Sequence, residues 1–397
     1  MINLARRDIA HNLKSYLLTG FGLGLLIGVT LTMAGVYRGM VDDAKVLLHA
    51  VNADVWVVQQ NTLGPFAEPS NVPDDLYRAL LGLEGVAQAG NVSYLTMQVS
   101  RRNQSQRVMV AGYEAGQPGG PAFLVAGRPI GRAHYEAVAD VKTGFAVGDV
   151  VRIRRNDYTV VGLTRRMVSS NGDPMLFIPL KDAQETQFLK DNDAIVEDRQ
   201  RLAANPAINR PGQSGVLDAV QAIQTSSHKV NAVLLRAQPG TDARVLADSI
   251  ARWQRYTAYT RDDMEEILVA KLIATAAKQI GLFLVILAIV SAAIVAFIIY
   301  TMTLGKIKEI AVLKLIGTKN RTIAAMIMQE ALGLGVIGFF VGKFAATLWA
   351  PVFPKYVLLE TGDAGRAFVL TLVVCALASV LAIRAALKID PAEAIGG

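Results

Sequence analysis

The sequence predicts an α-helical membrane protein with four transmembrane helices and a large α+β extracytoplasmic domain. Three observations carry this. Runs 15–37, 279–305, 322–342 and 367–383 are apolar throughout or nearly so, and a helix needs about 20 such residues to cross a bilayer. The long block between the first two runs alternates strand-like and helix-like segments. Charge is also uneven: residues 38–278 hold 27 basic and 26 acidic residues, whereas the rest holds 13 and 7.

Residues 1–14, with Arg6, Arg7 and Lys14, read as a cytoplasmic N-terminal helix. Residues 15–37, "SYLLTGFGLGLLIGVTLTMAGVY", carry no charge and form transmembrane helix 1. The run is longer than the apolar core of a signal peptide, and Thr32-Met33-Ala34 is a poor cleavage site, so it reads as a retained anchor. Gly20, Gly24 and Gly28 recur every fourth residue, a spacing that lets helix backbones approach closely.

Residues 38–278 form the outer domain with its stalk helices. The stretch 38–50 leaves the first span as a helix. "ADVWVV" (53–58) is a strand, "PDDLYRALLGL" (73–83) a helix, and "SYLTMQV" and "RVMVAGY" are strands. A matching half follows later: strand 231–237, helix 241–253 capped by Thr241, and strand 256–260. Together they predict a ferredoxin-like split β-α-β unit. A β-rich insert at about 126–215 interrupts it. There Val151 and Ile153 alternate with Arg152 and Arg154, and Asn156-Asp157 supplies the turn. Residues 191–215 are polar and irregular. The second stalk, 261–280, places Met264, Ile267, Leu268 and Leu272 on one face, and its acids Asp262, Asp263, Glu265 and Glu266 suit a solvated helix start.

Transmembrane helix 2 spans 279–305. A cytoplasmic helix follows at 306–321, with five basic residues and one acid. Transmembrane helix 3 spans 322–342, repeats the glycine spacing at Gly338 and Gly342, and contains Glu330. An acid at this depth marks either a functional interface or an interfacial carboxylate reaching for water. A periplasmic loop (343–366), transmembrane helix 4 (367–383) and a cytoplasmic tail (384–397) complete the chain. Short flanking loops rich in Lys and Arg stay in the cytoplasm, so both termini and 306–321 are expected inside and 38–278 outside. The basic balance is thus topological and implies no nucleic acid.

Chemistry of its own is not expected. "GFFVGKF" (338–344) lacks the length and Ser/Thr of a phosphate-binding loop. His11, His49, His134 and His228 have no metal-ligand spacing, and Cys375 is the single cysteine. The segment 306–323, "KIKEIAVLKLIGTKNRTI", is the exception to a plain reading. A loop that only fixed topology would not need Ile307, Ile310, Val312, Leu313, Leu315 and Ile316. The run ends in Gly317, a helix-stop signal. Its apolar residues form no single stripe, so a short helix pressed on another protein fits better than one lying on a membrane.

On these residues the chain resembles the MacB/LolC/FtsX (type VII) permeases of ABC transporters. Lys306, Lys308, Glu309, Ile310, Val312, Leu313, Lys314, Ile316, Gly317 and Glu330 fall on that family's pattern. Asp390, Pro391, Ala392, Glu393 and Ala394 resemble its closing motif. "YRGMVDDAKVLLHAVNADVWVVQ" resembles the DevC-like branch. The resemblance implies a non-catalytic membrane subunit that pairs with a second permease copy and two ABC ATPase subunits, which alone bind ATP and Mg. It implies that Lys306, Lys308, Glu309, Ile310, Leu313, Lys314, Ile316 and Gly317 couple to the ATPase, with Leu313 and Ile316 buried there and Glu309 and Lys314 in polar contact. It further implies mechanotransmission: export of an amphiphile, such as a glycolipid, from the periplasmic side of an inner membrane. A periplasmic adaptor and an outer-membrane TolC-like channel would receive the cargo. An FtsX-like signal transducer and a LolC-like lipoprotein extractor remain alternatives. The adaptor surface is expected on the insert, where "RRMVSSNGDPMLF" (165–177) combines exposed-looking polar residues with Met167, Met175 and Phe177.

Overall fold

The computed structural model describes residues 13–68, 70–102, 104–188, 200–205, 228–353 and 355–388. The chain forms two compact units, 1–40 with 275–397 and 41–274.

The first unit is helical. Its long elements are α1 (Leu13–Ala50), α6 (Ala274–Gly305), α8 (Asn320–Trp349) and α9 (Thr361–Lys388), each long and apolar enough to cross a membrane. The short helix α7 (Ile307–Leu315) joins α6 to α8. Tyr16, Leu23, Ile27, Ile299, Ile310, Ile327, Leu334, Phe339, Cys375 and Ala382 are among the residues of one apolar core. Two boundaries differ from the sequence reading. The third helix extends past 342 to Trp349, and the fourth begins at Thr361, so the connection is 350–360 instead of 343–366. Lys343, Asp363 and Arg366 make the apolar runs look shorter than the helices are, because charged side chains are tolerated near helix ends. The helix also continues into the stretch read as tail, to Lys388.

The second unit is α+β. Strands β1 (Val55–Gln59), β3 (Val86–Arg101), β11 (Ala232–Ala237) and β12 (Tyr256–Thr260) lie in the order β12-β1-β11-β3, all antiparallel neighbours. Helix α2 (Leu76–Leu81) connects β1 to β3, and α4 (Ala243–Ala251) connects β11 to β12. Each β-α-β pair is therefore split by a strand of the other, which is the ferredoxin-like arrangement. Val55, Val57, Leu80, Val233, Leu235, Leu246 and Ile250 fill the space between sheet and helices. A two-stranded pair, β2 (Val72–Pro73) with β10 (Lys229–Val230), borders it. Helix α4 is capped by Asp242, whose carboxylate accepts from the Arg244 N–H, so Thr241 is not the cap.

The β-rich insert grows out of the same sheet. The first half of β3 pairs with β11, and its second half, Val92–Arg101, pairs with β4 (Gln104–Tyr113). Strand β4 then joins β9 (Met175–Pro179), β6 (Glu136–Asp140), β8 (Asn156–Thr164) and the edge strand β5 (Leu124–Gly127). Strand β7 (Val150–Ile153) pairs with β8 and returns to β3 through Ser100 opposite Arg152. These contacts close a small barrel around Val99, Val110, Ala139, Ile153, Tyr158, Val160 and Leu176. The insert thus begins at β4, earlier than 126. Its expected part at 189–199 and 206–215 lies outside the described residues. The β7–β8 turn is at Arg154-Arg155, not Asn156-Asp157: Ile153 pairs with Asn156, and Arg154 takes φ +51°. The registration follows burial, since Val151 and Ile153 must face the same interior as Tyr158 and Val160.

Helix α3 (Leu180–Phe188) follows β9, and α5 (Arg261–Ile267) follows β12. Thr260 and Asp263 form a reciprocal capping box at the start of α5, and Asp263 also takes a bidentate contact from Arg244. Glu265 pairs with Lys45. These acids therefore serve helix initiation and surface pairing. A π-helical turn, Leu268–Ile273, continues α5. Leu268 and Ile273, five residues apart, are both buried there, and Lys271 stays exposed.

Candidate functional site

Helix α7 and its flanking residues carry eight of the sequence-predicted site residues, more than any other element. Its C-terminal end is a Schellman motif. The Thr318 N–H donates to the Leu313 carbonyl at 3.0 Å, and the Gly317 N–H to that of Lys314 at 3.0 Å. The closure requires Gly317 at φ +87°, a left-handed conformation that glycine adopts without penalty.

At about 100° per residue, α7 presents two different faces. The inward face carries Lys306, Ile310, Ala311 and Lys314. Ile310 and Ala311 are fully buried. The Lys306 ammonium, also buried, donates to Glu330 Oε2 at 3.1 Å and lies 5.7 Å from the centroid of the Tyr16 ring. Lys314 Nζ donates to the carbonyls of Leu387 at 2.9 Å and Ala386 at 3.3 Å, near the C-terminal end of α9. A cation there complements orphan carbonyls and the negative end of the helix dipole. The outward face carries Lys308, Glu309, Val312, Leu315 and Ile316, all exposed, with Leu315 at 64% and Ile316 at 76%.

This divides the expected coupling set. Lys308, Glu309, Ile316 and Gly317 are accessible, and Leu313 is half-buried. Lys306, Ile310 and Lys314 turn into the bundle, so they hold α7 in place and are not free to meet a partner. Val312 and Leu315 are among the apolar residues that point to a protein contact, but the named coupling set leaves both out. Winding the segment as a helix groups both with Lys308 and Ile316, which is the signal that would have found them. Glu330 is neither open to water nor reaching for it: it is buried and ion-paired with Lys306.

The glycine spacing brings α1 against α8 within one chain. A Cβ on Gly24 would lie 2.6 Å from Val341 Cγ1, and one on Gly342 would lie 2.5 Å from the Gly24 carbonyl oxygen. Gly28 faces the Gly342 carbonyl, Gly338 faces Leu23, and Gly20 faces Ile337. The closing motif Asp390, Pro391 and Glu393 lies outside the described residues. Among the described residues no group of His, Cys, Asp or Glu could hold a metal ion.

Within the stretch 165–177, Arg165, Arg166 and Asn171 are exposed, but its apolar side chains are not accessible. Met167, Met175 and Phe177 are fully buried; the last two lie on β9, an interior strand between β4 and β6, and the Met167 carbonyl accepts from the Met175 N–H. Exposed apolar side chains of the insert include Phe123, Leu124 and Val125 at its edge strand β5, with Tyr135, Val141, Val147 and Val150 elsewhere on it. Nearby, Glu136 is buried and clamps the preceding loop. It takes Arg128 at 2.5 Å and the backbone N–H groups of Gly131 and Arg132 at 2.9 and 3.0 Å. The Arg128 guanidinium, aided by these N–H groups against the opposing effect of burial, pulls its carboxyl down to about 2.

Comparison with known proteins agrees with this architecture. Residues 16–253 match the MacB-like periplasmic core domain, and residues 281–391 match the FtsX-like permease C-terminal family. The chain therefore belongs to the MacB/FtsX class of ABC transporter permeases. It is 26% identical over 402 residues to an uncharacterised ABC transporter permease of Mycobacterium tuberculosis, covering all of both chains. It is 24% identical over 399 residues to another of Mycobacterium bovis, again at full coverage. Among solved structures it is similar to the periplasmic region of MacB from Actinobacillus actinomycetemcomitans, with TM-score 0.36 and 10% identity over 55% of this chain and 94% of that one. It is also similar to the extracellular domain of the Gram-positive transporter YknZ, with TM-score 0.33 and 13% identity over 53% of this chain and all of the other.

Proposed function

We propose that this permease couples a separate ABC ATPase to the movement of an amphiphile, with α7 as the cytoplasmic contact. The observation that carries the reading is the two-faced character of α7: tied inward by Lys306 and Lys314, it leaves Val312, Leu315 and Ile316 uncovered. The excess of basic residues around 306–321 supports a cytoplasmic position for α7 and both termini. In this reading two permease copies engage two ATPase subunits that bind ATP and Mg. Closure of the ATPase pair moves α7, and the helices leading to the 41–274 domain transmit the motion. The likeness of residues 37–59 to the DevC-like branch favours export through an adaptor and an outer-membrane channel, with Phe123–Val125 as the adaptor surface.

The test is the paired substitution Leu315→Asp/Ile316→Asp in the purified permease–ATPase complex. Loss of ATPase stimulation, with insertion of the permease intact, is the expected result. Full stimulation would refute α7 as the coupling element. Co-purification separates the related readings: an adaptor and channel for export, a cell-wall hydrolase for transduction, a lipoprotein carrier for extraction.

A further inference from the structure

We infer that the membrane unit holds a binding site for the phosphate headgroup of a membrane lipid, at the end of the helices opposite α7. The site is a cavity of about 210 Å³ enclosed by α1, α8, α9 and the 350–360 connection. Leu31, Ala346, Leu358, Leu359 and Ala364 give it apolar walls, and Lys343 lines it together with Thr347, Glu360, Thr361 and Asp363. Its volume is below the ~300–1,000 Å³ of sites that enclose whole drug-sized ligands. A headgroup fits it, with acyl chains left in the bilayer.

The walls are built. The Leu358 N–H donates to the Gly35 carbonyl at 3.0 Å, and a Cβ on Gly35 would lie 2.7 Å from Val357. Only glycine there lets the connection lie against α1. Arg38 engages both Glu360 and Asp363, and Arg366 lies 3.8 Å from Asp363. The two carboxylates of the cavity are thus already neutralised. Lys343 is exposed and has no ion-pair partner among the described residues. It sits six residues before Trp349, the end of α8, or about 9 Å along the axis.

A lysine in a membrane-spanning helix is costly unless it is paired or reaches the interface. Snorkelling alone would place its ammonium among bulk headgroups without selecting any. Here the lysine lines a cavity with one uncompensated positive charge, polar hydroxyls and apolar walls. That complements a phosphodiester at the boundary of headgroup and acyl chain. The inference depends on membrane embedding only, and stands whether or not the bound lipid is cargo.

The experiment is a native mass-spectrometry titration of the detergent-purified full chain with phosphatidylglycerol, diacylglycerol and glycerol phosphate. Wild type is expected to retain phosphatidylglycerol in preference to both others. Lys343→Gln should bind it about fivefold more weakly, and Lys343→Arg should restore binding. Equal retention by Lys343→Gln, or equal retention of diacylglycerol by wild type, overturns the site. Glycerol phosphate bound as tightly as the lipid overturns the assignment to a membrane lipid.

Discussion

Replacing Gly342 by alanine adds one methyl group where two helix backbones touch. The new Cβ would lie 2.5 Å from the Gly24 carbonyl oxygen and 3.0 Å from the Gly28 nitrogen, against 3.4 Å for ordinary contact. Relief through the first contact requires α1 and α8 to separate locally by about 0.9 Å, the difference between ordinary and available distance. Both neighbours are backbone atoms, so no rotamer change absorbs the clash. Overpacking of this kind costs about 1–3 kcal/mol, and separation would also disturb Gly28 and Trp349 on the same seam. Gly22, in the same helix as Gly24, has open space around its would-be Cβ. Gly22→Ala should therefore be neutral or stabilising by up to about 1 kcal/mol, the helix-propensity difference. The assay is reversible denaturation in mixed detergent, followed by helix content. A Gly342→Ala protein as stable as Gly22→Ala would refute close approach of these two helices. The substitution acts within one chain, so instability should appear in the isolated permease before any assembly step.

The remaining predictions concern the buried ion pair, a pH window and the π turn. Glu330→Gln leaves the Lys306 charge without its carboxylate partner and should cost about 3–5 kcal/mol, whereas Lys306→Met/Glu330→Leu should recover most of it; equal stability of the single and double variants in detergent denaturation would refute an uncompensated buried charge as the source of the loss. Glu136, at about 2 in the folded domain against an ordinary 4.5, contributes stability that is complete above pH 4.5 and fades as pH falls toward 2. Glu136→Gln should thus lower the melting temperature at pH 7 with a gap that narrows below pH 4.5, and a gap independent of pH would refute the clamp. Deleting Ala270 should let Leu268–Ile273 wind as an α-helix with both buried residues four apart, keeping the domain folded while increasing amide protection around residue 270. Loss of folding would mean that the turn is held by its surroundings and not by the spacing of those two residues.

Much of this architecture was legible because it rests on composition. An apolar run of membrane length has few alternatives, and the two strand–helix–strand patterns around 53–113 and 231–260 contain the ferredoxin-like order. What was not legible depends on neighbours distant in sequence. Met175 and Phe177 read as loop residues until β4 and β6 enclose β9 on either side. The closure of the barrel rests on a single pairing, Ser100 with Arg152, for which no local pattern exists. Helix ends were misplaced where Lys343, Asp363 and Arg366 interrupt the apolar run without interrupting the helix. The inward turn of Lys306 and Lys314 was hidden for a related reason. Their partners, Glu330 and the carbonyls of Ala386 and Leu387, lie 24 and more than 70 positions away.

The charged segment between two spans makes sense once its two faces are weighed against each other. Exposed Val312, Leu315 and Ile316 retain 46%, 64% and 76% of their accessible surface. Fully covering them would gain about 3–5 kcal/mol at 1.5–3 kcal/mol per large apolar side chain. The inward attachment is at least as strong. Drawing Lys306 away would leave the Glu330 carboxylate buried without it, a change that costs about 3–5 kcal/mol. The two Lys314–carbonyl bonds and the burial of Ile310 and Ala311 add to that. A partner pulling on the outer face would therefore lose its grip before α7 detached from the bundle. Force applied at Leu315 and Ile316 would pass through Lys306 to Glu330 on α8 and through Lys314 to the end of α9. A loop that served topology alone would need the positive charges but neither the inward anchors nor the bare apolar face. The presence of all three within residues 306–316 fits the proposed role of α7 in transmitting motion.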